Sequence, residues 1–142
     1  MKIEVVNAAS DIQKCLEIRA EVFIEEQNVT LDEEQDGLDD DCVHFIATDK
    51  SDVIGAARLN YLNEGYAKIQ RVCVKQSSRG SGVGAEIIRT MIDHIRRDGV
   101  RNVIRLGAQT HALQFYQSLG FKAYGEEYLD AGIPHFDMEL RL

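Results

Sequence analysis

The chain has 142 residues and a net charge of −8, from 16 Lys and Arg against 24 Asp and Glu. This length suits one domain over residues 1–142, and the acidic balance argues against broad nucleic-acid binding. The apolar runs are far shorter than a membrane span, and Cys15, Cys42 and Cys73 fit neither a disulfide framework nor the C-x-x-C spacing of zinc sites. We therefore expect a cytoplasmic protein with no metal, nucleic-acid or membrane partner.

Hydrophobic periodicity predicts a mixed order of strands and helices. Residues 2–6 alternate as a first strand rather than as a secretory leader. A capping box of Ser10 and Gln13 predicts a helix from about Asp11 into the twenties. Residues 28–41 show no sustained period, which is typical of a loop or a short second helix. The other predicted strands are 43–48, 53–60, 66–74, 102–108, one from 121 onward and 135–142, with a short helix at 110–119 and a turn at 130–134.

The best-defined helix of the sequence starts near position 83 and ends before Gly99. Its apolar stripe consists of Val83, Ile87, Ile88, Met91, Ile92 and Ile95. Arg89, Arg96 and Arg97 face away from this stripe, as expected for an amphipathic helix. Gly99 is the expected carboxyl-terminal cap, because glycine adopts the left-handed conformation there without strain.

A glycine-rich loop separates the strand at 66–74 from this helix. The loop contains Arg79, Gly80, Ser81, Gly82, Val83, Gly84 and Ala85. Glycines let the backbone approach a ligand closely, and a helix that starts here points unpaired N–H groups and its positive end into the loop. We therefore expect the loop to bind a phosphate or pyrophosphate, with Arg79 as an additional donor.

Two known patterns fit this loop. Gly80, Gly82 and Ala85 satisfy the dinucleotide pattern G-x-G-x-x-A, whereas Arg79, Gly82 and Gly84 satisfy R-x-x-G-x-G. A dinucleotide loop begins at the strand end and is followed by an acidic residue about 20 positions later. Here residues 75–78 intervene, and residues 101–105 contain no acid. The sequence therefore disfavours a dinucleotide-binding oxidoreductase; a glycine-rich turn without a ligand is the other alternative.

Charge is distributed unevenly along the chain. Residues 25–41 contain nine acids and no Lys or Arg, whereas residues 68–105 contain nine Lys and Arg around the glycine-rich loop. The basic half suits a ligand with several phosphates, and the acidic half suits a cationic amine. The alternative for the acidic segment is a solvated surface.

A second motif lies in the stretch AQTHALQFYQSLGF. The residues that match N-x-x-A-x-x-x-Y-x-x-x-G-F are Gln109, Ala112, Tyr116, Gly120 and Phe121, with Gln109 where Asn is usual. With R-x-x-G-x-G, an acetyl-coenzyme A signature, the chain resembles the GNAT superfamily of N-acetyltransferases along essentially its whole length. The stretches RAEVFIEEQNV and YLDAGIPHFDMEL further resemble the small bacterial ElaA-like subgroup. The resemblance implies an α/β (α+β) fold with a mixed, mostly antiparallel sheet of six to seven strands, splayed at the cofactor cleft and flanked by about four helices.

The resemblance also implies the cofactor and its contacts. Acetyl-coenzyme A would place its pyrophosphate on the backbone N–H groups of the loop and its pantetheine along the preceding strand. The residues expected to bind it are Val72, Cys73, Val74, Arg79, Gly80, Ser81, Gly82, Val83, Gly84, Ala85, Gln109 and Phe115. A backbone N–H near Val74 would face the thioester carbonyl as an amine attacks.

Tyr116 matches the family position whose hydroxyl acts as general acid toward the departing thiolate. The alternative is that Phe115 and Tyr116 are core aromatics. Cys73, beside the expected thioester, could be a nucleophile, but a small apolar strand residue is the preferred interpretation. Arg19 and Arg71 could bind a substrate carboxylate or pair with the acids of residues 25–41.

No residue of the sequence stands out as a general base. The candidates are Glu26, Glu33, Asp36, His44, His111 and His135, each of which also has a structural interpretation. His44 is expected to hydrogen-bond to the first helix. His135 is preferred, because a residue that follows Pro134 at a strand start could border the cleft. An acceptor amine that is already deprotonated would need no base.

Together these features predict an N-acetyltransferase that moves acetyl from acetyl-coenzyme A to the primary amine of a small polar molecule by direct attack in a ternary complex. The amino-acid and amino-sugar classes are the expected acceptors. A module that senses acyl-coenzyme A without turnover and a protein N-acetyltransferase are the alternatives. Formation of a homodimer is left open.

Overall fold

A computed structural model describes residues 1–63 and 65–142. Within these residues the strands are β1 Lys2–Val6, β2 Val43–Asp49, β3 Asp52–Asn60, β4 Ala67–Val74, β5 Val103–Gln109, β6 Lys122–Asp130 and β7 Ile133–Arg141. The α-helices are α1 Ala9–Arg19, α2 Leu31–Glu34, α3 Val83–Asp98 and α4 Leu113–Ser118. A π-helical segment at Ala20–Glu26 continues α1, and 3-10 turns lie at Asp39–Asp41, Gln76–Ser78 and Thr110–Ala112. In the part of the chain described, no helix is long and apolar enough to cross a bilayer.

The strands form one sheet in the order β1-β2-β3-β4-β5-β7-β6. All neighbouring pairs are antiparallel except β4 and β5, which run parallel and pair only at Ala67 with Ile104 and at Lys68 with Arg105. Beyond Lys68 these two strands diverge. The mixed, mostly antiparallel and splayed sheet that the resemblance implied is confirmed, and it is not the mostly parallel sheet of a dinucleotide fold.

Helices cover both faces of the sheet. On one face, α3 packs on a core that includes Phe45 and Leu59. On the other face, Cys15 and Ile18 of α1 pack on Ile46, whose side chain points opposite to that of Phe45. The splayed edges of β4 and β5 therefore open between two helical layers.

Helix α3 matches its sequence pattern closely. All six residues of the apolar stripe are buried, and Gly99 caps the helix in the left-handed conformation with φ of 71°. The N–H of Gly99 donates to the carbonyl of Ile95 at 3.1 Å. Gly55 on β3 lets the helix approach, because a Cβ there would lie 2.9 Å from Cδ1 of Ile87.

The start of α1 corrects the sequence analysis. The helix begins at Ala9 with Ala8 as the N-cap residue, and no side chain caps it, so the capping box of Ser10 and Gln13 was wrong. A capping box is present instead at α2, where Thr30 and Glu33 satisfy each other's backbone N–H groups. The pattern is short enough to match by chance, whereas the burial of Cys15 and Ile18 decides where α1 lies.

Buried arginines fix the acidic segment 25–41 to the sheet. The Arg19 guanidinium donates to Glu34 at 2.6 Å and to Asp39 at 2.7 Å, and Arg58 donates to Asp36 at 2.8 Å. Arg19, Glu34 and Arg58 are 1%, 2% and 0% exposed. This part of the acidic segment is therefore paired and buried rather than a solvated surface. The pairing also decides the role of Arg19 in favour of the acids.

Candidate active site

A cleft of about 900 Å³ opens where β4 and β5 diverge. Its walls come from β4, the glycine-rich loop, the start of α3, β5 and α4, and from the π-helical segment after α1. The predicted site residues that line it are Val72, Cys73, Val74, Arg79, Gly80, Gly82, Val83, Gly84, Ala85, Gln109, Phe115 and Tyr116. Ser81 is not among the lining residues. Its hydroxyl donates to the carbonyl of Ser78 at 2.9 Å within the loop.

The edge of β4 presents backbone N–H groups to the cleft. The N–H of Lys75 donates to the carbonyl of Ile54 on β3 at 2.7 Å. Because successive strand residues point their backbone groups to opposite edges, the N–H groups of Val74 and Val72 face the edge where β5 has moved away. This edge can pair with an extended ligand and can donate a hydrogen bond to a carbonyl.

A bulge in β4 lies just before this edge. Arg71 has a φ of 56°, and the register between β3 and β4 shifts there. A left-handed conformation is uncommon for a residue with a side chain. The bulge turns the Arg71 side chain toward the acidic segment, where it donates to the carbonyls of Glu33 and Glu34 at 3.3 and 3.1 Å.

The glycine-rich loop ends in an open helix terminus. Gly80 and Gly82 have φ values of 82° and 87°, and α3 begins at Val83 without a side-chain cap. The first helical bond of the backbone runs from Glu86 N–H to the Gly82 carbonyl at 3.1 Å. The preceding N–H groups therefore have no partner within the helix and point to the cleft. This is the arrangement that binds phosphate oxygens.

Close packing of Phe115 against α3 shapes the adjacent wall. A Cβ at Gly84 would lie 3.3 Å from Cζ of Phe115 and 3.8 Å from Cγ2 of Val74. Gly84 therefore lets the aromatic ring and the strand end come together at the helix terminus.

Arg79 is held at the cleft by a partner that the sequence analysis did not identify. Its guanidinium contacts both carboxylate oxygens of Glu26, at 2.6 and 2.8 Å, and donates to the Val74 carbonyl at 2.9 Å. These hydrogen bonds lower the pKa of Glu26 and raise the pKa of Arg79. Glu26 is thereby a weaker base than an ordinary carboxylate.

Tyr116 lies in α4 with its ring edge-to-face against Phe115 and Phe121, at centroid distances of 5.0 and 6.0 Å. Burial raises the pKa of its hydroxyl to about 12. The phenol therefore keeps its proton at neutral pH and can donate it. Cys73 is 3% exposed, and burial raises the pKa of its thiol to about 12 as well, so it is not a thiolate nucleophile.

Gln109 connects β5 to the segment after α1. Its amide nitrogen donates to the side-chain oxygen of Gln27 at 2.9 Å, and its oxygen lies 2.7 Å from Nε2 of His111. Gln27 was not predicted as a site residue, because no motif of the sequence marks it. The π-helical segment that carries the chain to it is a feature often found at functional sites.

A cluster of His135, Tyr128 and Asp137 forms the wall of the cleft opposite α4, the helix that carries Tyr116. The Tyr128 ring stacks on the imidazole with centroids 5.8 Å apart, and the Tyr128 hydroxyl donates to Asp137 at 2.7 Å. A Cβ at Gly107 would lie 2.6 Å from the Tyr128 hydroxyl, so glycine is required there. The alternation of His135 and Asp137 on one strand was the signal available in the sequence.

The structure divides the candidate bases. Glu26, Glu33, His111 and His135 line the cleft. Asp36 is bound to Arg58 instead, and Nε2 of His44 lies 2.7 Å from the carbonyl of Asp39, so the expected bond from His44 to the first helix was wrong.

No group of three or more His, Cys, Asp and Glu side chains is placed to hold a metal ion within residues 1–63 and 65–142.

Comparison with known proteins identifies the family. The model of a domain described as "Acetyltransferase (GNAT) domain" matches residues 8–142. The chain belongs to the GNAT acetyltransferase family. This GNAT chain is 37% identical over 139 residues to a Bacillus subtilis protein named Uncharacterized N-acetyltransferase YjcF, covering 97% of this chain and 98% of that protein.

Solved structures agree with the family. The crystal structure of Escherichia coli ElaA has a TM-score of 0.90 and 27% identity, covering 99% of this chain and 100% of that one. A GNAT family acetyltransferase from Elizabethkingia anophelis, crystallised with acetyl-CoA bound, has a TM-score of 0.73 and 16% identity, covering 99% and 97% of the two chains. The resemblance to the ElaA-like subgroup is confirmed by the first of these matches.

Proposed function

We propose that this GNAT chain transfers acetyl from acetyl-coenzyme A to the primary amine of a small polar molecule, by direct attack within a ternary complex. The proposal rests on one observation: the uncapped amino terminus of α3 and the free edge of β4 line the same cleft. An anion-binding terminus beside an edge that can pair with an extended chain suits a cofactor with a diphosphate and a pantetheine arm.

The proposed cofactor contacts follow from these two features. The diphosphate lies on the N–H groups at the start of α3, with Arg79 beside it once the guanidinium leaves Glu26. The pantetheine lies along Val72 and Val74 and extends toward Gln109. The acetyl-CoA complex of the Elizabethkingia anophelis protein, which shares the fold, supports the choice of cofactor.

Each step of the proposed reaction has a group suited to it. The thioester carbonyl accepts a hydrogen bond from the Val74 N–H, which stabilises the oxyanion as the amine attacks. Tyr116 then donates its proton to the departing thiolate. Because Cys73 is a buried thiol, the acetyl group passes to the amine without an acyl-enzyme.

A small acceptor is favoured by the shape of the site. The cleft has a volume of about 900 Å³ and lies between two helical layers. This volume is within the range of sites that bind small molecules. The lining of the cleft includes the charged side chains of Glu33, Lys68, Arg71 and Asp130, which suits a polar, charged molecule.

Thiol release from acetyl-coenzyme A on addition of single amines tests the proposal. We expect release that depends on the amine, with amino acids and amino sugars among the active compounds and with N-acetylated product found by mass spectrometry. Binding of coenzyme A without release for any amine would contradict catalysis and favour an acyl-coenzyme A sensor. Release only with peptides or proteins would contradict the small acceptor.

A further inference from the structure

His135 is held in one tautomer. Its Nδ1 lies 2.6 Å from the backbone carbonyl of Ile133. Because a carbonyl only accepts hydrogen bonds, Nδ1 must carry the proton in the neutral ring, which leaves the lone pair on Nε2. Nε2 has no hydrogen-bond partner among residues 1–63 and 65–142, although His135 is only 8% exposed.

Packing fixes the direction of the ring. Tyr128 stacks on one side of it with an interplanar angle of 23°, and the Tyr128 hydroxyl is anchored to Asp137. Gly107 leaves the space for this anchor, since a Cβ there would meet the hydroxyl at 2.6 Å. The imidazole is therefore positioned rather than free to rotate.

The ring reaches the cleft from the face opposite α3. His135 pairs with Gln109 across β5 and β7, so their two side chains lie on the same face of the sheet. Gly107, two residues before Gln109, faces the same side. Leu106 and Ala108, which alternate with Gly107, point into the core under α3. The start of α3, where the diphosphate is proposed to bind, lies on the α3 face of the sheet. His135 therefore borders the cleft from the opposite face, where an acceptor would enter.

We propose that Nε2 of His135 is the general base that takes a proton from the acceptor amine, an inference that rests on the proposed acetyl transfer. The acceptor arrives as an ammonium ion and gives one proton to Nε2, which later returns it to solvent. The amine lone pair forms the N–C bond as the carbonyl electrons move to oxygen. When the C=O bond re-forms, the C–S bond breaks and the thiolate takes a proton from Tyr116. The nitrogen then gives its second proton to the resulting phenolate, which restores the phenol of Tyr116.

The other candidates are less suited to this task. Glu26 is occupied by Arg79, which lowers its pKa, and the Glu33 carboxylate accepts from the N–H and hydroxyl of Thr30. His111 is exposed and faces the Gln109 amide. The titratable groups that pack around His135 are Tyr128 from β6 and, through Tyr128, Asp137 from β7; β5 presents Gly107 and Gln109, which do not titrate.

The variant His135→Asn tests the base, because the Asn amide can keep the bond to the Ile133 carbonyl while removing Nε2. We expect kcat to fall about 100-fold with a basic amine. The loss should shrink for an acceptor such as hydroxylamine, which needs no deprotonation at neutral pH. Coenzyme A affinity and the unfolding midpoint should match wild type. His94→Asn, which removes an imidazole outside the cleft, is the control.

A second measurement uses the wild type alone, so that it stands even if the variant does not fold. The kcat profile should show an acidic limb whose midpoint is the same for two acceptors of different basicity. Absence of that limb in the wild type would overturn the assignment of the base; where the variant folds, persistence of the limb in His135→Asn would overturn it as well. Equal losses for basic amines and hydroxylamine would also overturn it, because they indicate a merely structural role. Wild-type protein that releases no thiol with any amine would instead contradict the proposed function itself.

Discussion

Burial raises the pKa values of Tyr116 and Cys73 to about 12, with different consequences for each residue. A phenol with a raised pKa keeps the proton that the proposed mechanism requires it to donate, whereas a thiol with a raised pKa loses the thiolate that it would need as a nucleophile. Burial thus favours the proposed acid role of the tyrosine and disfavours an acyl-enzyme at the cysteine. Both residues were predicted to lie in the cleft, but the direction of their pKa shifts follows only from their packing in the structure.

We expect Tyr116→Phe to lower kcat about 100-fold while leaving the affinity for coenzyme A within twofold. The phenyl ring keeps the contacts with Phe115 and Phe121, so only the proton donor is lost. Because the pKa of Tyr116 lies near 12, wild-type kcat should show no basic limb from this group below about pH 10. Steady-state kinetics and calorimetry measure the two quantities; unchanged kcat would remove Tyr116 from the mechanism.

Glu26→Gln should raise the affinity for coenzyme A, because it releases Arg79 for the diphosphate. The pair is exposed and solvent-screened, so we expect a gain of at most about fivefold. Calorimetric titration measures the gain, and Asp93→Asn, which breaks an exposed pair with Arg96 outside the cleft, is the control. Weaker binding in Glu26→Gln would show that the carboxylate supports the site instead.

At the scale of elements, α3 and the chain after α1 differ in how far the sequence predicts them. The stripe from Val83 to Ile95 repeats with one period and ends at a glycine, so its limits followed from local pattern. The π-helical turns of Ala20–Glu26 have no such signature, because the wider turn depends on packing against the sheet. The hydrogen bonds of Glu26 with Arg79 and of Gln27 with Gln109 were therefore not predictable from local sequence.

The amino terminus of α3 gives a matched pair of variants. Gly82 and Gly37 have φ values of 87° and 80°, and no atom lies within 4 Å of a Cβ built on either. Alanine at each position should lower the free energy of unfolding by about 1 kcal/mol through backbone strain. Only Gly82→Ala should also weaken coenzyme A, about tenfold, by displacing N–H groups that meet the diphosphate.

Denaturant unfolding and calorimetry separate these two effects. Equal coenzyme A affinity in Gly82→Ala and Gly37→Ala would show that the terminus of α3 is not the phosphate site. Loss of affinity in Gly37→Ala alone would point to the acidic segment.

At the scale of the whole molecule, the order of strands and helices was predictable because periodicity, turns and two motifs agree. The partners of the acidic segment were not predictable, because they come from distant parts of the chain; pairing with the acids was only one of two roles that the sequence allowed for Arg19. Arg19 lies on α1 and Arg58 on β3, and neither shows in the sequence that it will be buried against Asp39. The bulge at Arg71 was also missed, since no glycine marks it.

We expect this network of arginines and carboxylates to contribute to the dependence of stability on pH. Hydrogen bonds from Arg58 lower the pKa of Asp36 far below its usual value, and at Asp39 burial acts to raise the pKa but the bonds from Arg19 and Arg58 outweigh it. Carboxyls with a lowered folded pKa contribute stability above the unfolded value of about 3.9, and this is lost as the pH falls through the folded pKa.

We therefore expect the free energy of unfolding to be level between about pH 6 and 8 and to fall steadily below about pH 5. Asp36→Asn should lower stability at neutral pH by about 2 kcal/mol and make the fall below pH 5 shallower. Urea unfolding across this range measures both. A slope that is the same in the variant and the wild type would show that Asp36 does not contribute.

The most direct test of the whole account is a crystal structure of the chain with coenzyme A. We expect the diphosphate oxygens to lie within hydrogen-bond distance of the N–H groups at the start of α3, with the pantetheine along Val72 and Val74 and the sulfur near Tyr116. Coenzyme A bound elsewhere, with the cleft between β4 and β5 empty, would contradict acetyl transfer at this site.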